Sequence, residues 1–89
     1  MDFQGDTQEK TQVELVLVTA SINHEYAKKE LDKTQTFHRR EELLNRMSHL
    51  KCLYFNAREV MVQTDPVRLS ELEEELLIQK RELFTEFNA

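Results

Sequence analysis

The chain has 89 residues, of which 17 are acidic and 12 basic for a net charge of −5, with 39% apolar and 33% charged residues. Its length bounds it to one domain, residues 1–89, and its apolar content is too high for a wholly disordered tail. The acidic balance argues against nucleic acid or an anionic membrane as partner, since both offer phosphates to basic surface.

Cys52 is the single cysteine, so no internal disulfide is possible and a reducing compartment is favoured. The opening "MDFQGDTQEKTQ" lacks the basic start and apolar run of a signal peptide, and no segment approaches the ~20 apolar residues of a membrane span. The expected location is cytoplasmic. A core this small leaves little margin over the entropy of ordering the chain, so a homo- or hetero-oligomer is expected.

The only glycine is Gly5 and the only proline Pro66, which leaves the stretch between them without a strong breaker of regular structure and favours long helices. In "GDTQE", Asp6 as N-cap with Glu9 three residues on predicts a first helix from about Thr7 to residue 32, after a flexible tail at 1–6. The following "VELVLVTASI" has the β-branched composition of a core strand, yet no other segment offers a confident strand to pair with it. Val13, Leu17, Ala20, His24, Ala27 and Leu31 instead step by four and three along one helix face. Leu15, Val18 and Ile22 form an adjoining apolar face. Two such faces predict a first helix sandwiched by both other helices or by a second chain.

Projected onward, that first seam lands on Thr34, His38, Glu41 and Asn45, out of phase with the apolar pattern that follows. A turn near "LDKTQTF" fits, with Asp32 or Thr36 as cap; one long, locally distorted helix is the alternative. The second helix, about 36–63, carries Leu43, Met47, Leu50, Tyr54, Ala57, Met61 and Thr64 at alternating steps of four and three. Its end is marked by Asp65–Pro66. Proline at the first helical position forgoes an N–H that has no intrahelical acceptor, while the aspartate caps those that follow.

The third helix, about 66–87, has a stripe of Leu69, Leu72, Leu76, Leu77, Leu83, Phe84 and Phe87, broken by Gln79 and Lys80. Ser70 and Glu73 form a second capping box that allows a start one turn later. The expected fold is all-α with no sheet: a helical hairpin or three-helix bundle with coiled-coil-like packing.

Candidate chemistry is sparse. His24–Glu25 matches half of the zinc-protease helix motif, but Lys28 stands where the second histidine belongs, so His24 is expected in or at the edge of the core. His49 and Cys52 share a helix face but supply only two of the four ligands a structural zinc needs, and the apolar neighbours in "HLKCLYF" predict a buried, protonated Cys52. The glutamates of "ELEEE" read as a solvated helix face, where nothing shifts a pKa toward catalysis. No catalytic residue, metal or cofactor is therefore expected. Lys28, Lys29, Lys33, His38, Arg39 and Arg40 cluster at the first turn, where a basic end could steer an acidic partner.

"LSELEEELL", Leu69 to Leu77, looks superficially like the second helix of the small helical-hairpin phosphatases that act on sporulation response regulators. That family carries Ser-Gln-Glu-Leu-Asp, whereas here Ser70 is followed by Glu71, Leu72 and Glu73. The glutamine is absent and the spacing broken, so the activity is not carried over.

The function expected from these features is non-enzymatic: an adaptor, co-chaperone or assembly subunit that binds another protein by helix–helix packing. A small inhibitor that caps a host enzyme or transcription factor is the alternative. The expected partner-binding residues are Leu69, Leu72, Leu76, Leu83, Phe84 and Phe87, flanked by Arg39 and Arg40.

Overall fold

The computed structural model describes the backbone of residues 3–85 and the side chains of 12–85. Three α-helices account for nearly all of this: α1 (Phe3–Lys33), α2 (Phe37–Thr64) and α3 (Pro66–Phe84), and no strand occurs among the described residues. They form a three-helix bundle in which the α1–α2 pairing is the most extensive and α3 touches both. A 31-residue helix spans about 46 Å, and α1 accordingly sets the 52 Å long dimension.

The first seam faces α2. Leu17, Ala20 and Ala27 are buried, Val13, His24 and Leu31 half-buried. Opposite them, Leu43, Leu50, Ala57 and Met61 are buried and Met47 and Tyr54 half-buried, so the second seam is the inner face of α2; Thr64, at its end, is exposed. Three alanines let the two backbones approach closely, since interaxial distance follows side-chain size at the contact.

The adjoining face of α1 meets α3. Val18 and Ile22 pack on the core cluster formed by Leu17, Ala57, Met61, Leu69, Leu72 and Leu76, to which all three helices contribute. Tyr26 and Phe84 stack edge to face with ring centroids 4.7 Å apart, fixing the far end of α3 to α1. Arg68 donates from Nε to Glu14 at 3.1 Å at the near end. The first helix is thus sandwiched by both other helices. Leu15 is the exception on this face, at 62% exposed.

Both boundaries fall where the sequence places them, but only the second uses the expected cap. The chain leaves helical geometry at residues 34–36, and the turn there is closed by Thr34, whose N–H donates to the Leu31 carbonyl and whose hydroxyl donates to that of Glu30. Thr36 occupies the N-cap position of α2 in extended conformation, but its side chain makes no cap hydrogen bond, and Asp32 lies inside α1. Asp65 alone separates α2 from α3: its N–H donates to Met61 O at 2.8 Å, and its carboxylate accepts from Arg68 N–H at 3.2 Å with Pro66 at the first helical position. With α3 continuous from Pro66, Ser70 is interior and the later start is not used.

Three expectations are corrected. α1 begins at Phe3, four residues before Thr7, so residues 3–6 are helical and Gly5 and Asp6 lie within the helix. A single glycine costs about 1 kcal/mol in a helix, too little to stop one. α3 ends at Phe84, and Phe87 lies outside the described residues. Cys52 is exposed. Its apolar sequence neighbours are dispersed around the helix, and the two-residue step from buried Leu50 turns it about 200° away from the core.

Candidate functional site

The residues expected to bind a partner are largely committed within the chain. Leu69, Leu72, Leu76 and Phe84 are each about 4% exposed or less and form the inner face of α3, so they are a closed core and not an open stripe. Leu83 is half exposed at the last turn. The stripe is turned inward because α1 offers it a second apolar face, in Val18 and Ile22.

Arg39 and Arg40 are also engaged. Arg39 pairs with Glu30 of α1 at 2.6 Å. Arg40 donates from one guanidinium nitrogen to the carbonyls of Leu31 at 3.0 Å and Thr34 at 2.9 Å. The last carbonyls of a helix have no intrahelical donor, and this guanidinium supplies one from the start of the next helix. The expected steering residues thus close the α1–α2 turn.

An open apolar surface lies elsewhere. A groove of about 430 Å³ runs between α1 and α2, lined by Val13, Val16, Leu53, Ala57 and Val60 with Gln12 and Asn56 at its polar edges; no α3 residue lines it. Ala57 is its buried floor and Val13 is half-buried, while Val16, Leu53 and Val60 remain 39%, 37% and 45% exposed. Leu53 and Val60 are seven residues apart and lie one step round α2 from the seam, on the flank opposite Arg58, which pairs with Glu73 of α3 at 3.5 Å. α3 therefore covers one side of the α1–α2 pair and the groove occupies the other. The α2 seam from Leu43 to Thr64 does not include Leu53 or Val60, which form this second flank. The Leu53–Val60 spacing was the signal for it.

The remaining exposed apolar side chains are more scattered. Val67 and Ile78 lie on the outer side of α3, and Phe37, 79% exposed, sits at the α1–α2 turn. His24 is half-buried at the edge of the core, and desolvation is the main cause that lowers its pKa below 6.5; the fields of Lys80, Lys28 and Lys51 act in the same direction and Glu25 opposes them. His49 and Cys52 are both exposed, and among the described residues no group of three or more His, Cys, Asp or Glu side chains converges on a metal-sized site. No helix among the described residues is long and apolar enough to cross a membrane.

No protein-family model matches the chain, and comparisons with curated proteins and with solved structures gave no match.

Proposed function

We propose that this protein is a non-enzymatic interaction module that receives a partner helix in the α1–α2 groove, completing a four-helix arrangement. The observation that carries the reading is the groove itself, a contiguous apolar channel between two long helices on the side α3 leaves open. A helix laid there covers Val16, Leu53 and Val60, and the surrounding polar residues select its register. Burying one such side chain fully is worth about 1.5–3 kcal/mol, so three half-exposed residues supply a moderate affinity suited to an adaptor or assembly subunit. The acidic net charge and small size also suit a co-chaperone that shields an aggregation-prone helix in the cytoplasm.

A photo-crosslinking amino acid at Leu53, compared with one at Ile78 on the outer side of α3, tests this. The expected result is a discrete protein adduct from position 53 that disappears when Val60→Glu is added, with no adduct from position 78. Equal crosslinking from both positions, or an adduct indifferent to Val60→Glu, contradicts the proposal.

A further inference from the structure

A second pocket, sharing no residue with the groove, opens where the three helices meet. It is an open depression of about 300 Å³ lined by Ser21 and His24 of α1, Lys51, Tyr54 and Phe55 of α2, and Lys80 of α3. Two lysines, a histidine and a serine line one space with the two aromatic residues, and no acidic residue lines it. That is unexpected in a chain with 17 acidic residues against 12 basic ones. Elsewhere Arg39, Arg58 and Arg68 each hold a carboxylate, from Glu30, Glu73 and Glu14. Among the described residues no ion pair engages Lys51 or Lys80.

The aromatic wall adds a shape requirement. Tyr54 and Phe55 stand edge to face with centroids 5.4 Å apart, and Phe55 is 52% exposed. Tyr54, half-buried, lines the pocket beside Phe55. Ser21 is the one buried polar residue among the described residues, and it lines this pocket.

We propose that this pocket binds a small aromatic phosphate monoester, its phosphate between Lys51 and Lys80 with Ser21 and His24 as hydrogen-bond donors and its ring against Phe55. Two lysines match the charge of such a phosphate, about −1.5 to −2 at pH 7, better than that of a carboxylate. The volume is at the lower end of small-molecule sites, which run from roughly 300 to 1,000 Å³, and accommodates one ring with its phosphate. The lysine fields that disfavour a proton on His24 are then offset by the ligand, so His24 gains a proton more readily when the site is filled. Glu25 and Lys28 also act on this imidazole from its own helix, with Lys51 and Lys80 from the other two.

The test is an amide-resonance NMR titration of the intact chain with phenyl phosphate, beside inorganic phosphate and phenol, each to about 10 mM, a range that detects millimolar affinity. Saturable shifts at residues 21, 24, 51, 54, 55 and 80, binding by inorganic phosphate weaker by about tenfold, and no response to phenol are expected. Lys51→Gln with Lys80→Gln weakens phenyl phosphate binding at least about tenfold, and Phe55→Ala, at an exposed site, abolishes the preference over inorganic phosphate. The apparent pKa of His24 rises on saturation. Absence of saturable shifts, equal affinity for inorganic phosphate, or binding unchanged by the lysine substitutions overturns the proposal.

Discussion

Leu17 and Leu15 are two residues apart on α1, and the bundle assigns them opposite fates. Leu17 is 0% exposed and belongs to a cluster with Ala57 and Met61 of α2 and Leu69, Leu72 and Leu76 of α3, whereas Leu15 is 62% exposed. Leu17→Ala removes three carbons at a point where three helices meet, and neighbours fixed in separate helices cannot collapse fully into the space. A cost near the middle of the usual range, about 3 kcal/mol, follows. Leu15→Ala changes an exposed position and is expected to stay within about 0.5 kcal/mol of the parent. Since both are leucine-to-alanine changes in one helix, propensity cancels in the comparison. Urea unfolding followed by far-ultraviolet circular dichroism reads the difference. With a slope of about 1 kcal/mol per molar for a small domain, Leu17→Ala lowers the midpoint by roughly 3 M and Leu15→Ala by less than about 0.5 M. Equal shifts in the two variants, or a Leu17→Ala midpoint near the parent's, refute the placement of Leu17 in the core shared by the three helices.

Asp65→Ala removes the carboxylate that accepts from Arg68 N–H and is expected to cost about 1 kcal/mol in the same urea experiment, with Asp65→Asn close to neutral. Arg40→Ala frees the Leu31 and Thr34 carbonyls; since the site is exposed, the loss is below about 1 kcal/mol, and faster hydrogen exchange localised around residues 31–37 identifies it. Arg68 bridges Glu14 of α1 to Glu71 and Glu75 of α3, so Arg68→Ala lowers Tm at low ionic strength and the difference shrinks at about 1 M salt. His24 has a folded-state pKa below 6.5, so the unfolded chain takes up a proton first as pH falls. Its contribution is complete above about pH 6.5 and is lost as pH falls through the folded pKa; His24→Gln removes that segment from a Tm-versus-pH curve.

The helices were legible because their seams are written at helical spacing in a stretch without breakers, and Asp65–Pro66 marks its boundary chemically. The double apolar face of "VELVLVTASI" announced that α1 has more than one neighbour, and Val18 and Ile22, surplus to a simple hairpin with α2, pack on the core that α3 completes. What periodicity does not encode is which stripe finds its partner inside the chain. The α3 stripe is the stronger pattern, and it is consumed in the core for that reason; the weaker Val16–Leu53–Val60 surface is what remains open. Lys51, Lys80 and His24 come together only through tertiary packing, from three helices and with no sequence spacing to connect them. Arg40 illustrates the same limit, since a basic residue near a turn reads as surface charge until the carbonyls it caps are located.

Light scattering coupled to size-exclusion chromatography, on the parent and on Leu53→Glu with Val60→Glu, tests the helix-receiving groove most directly. In purified protein the available partner helix is a second copy, so the parent is expected to self-associate with rising concentration, while the double variant stays monomeric with unchanged helicity. A parent that is monomeric at every concentration, or an association that both glutamates leave intact, contradicts the proposed role of the groove.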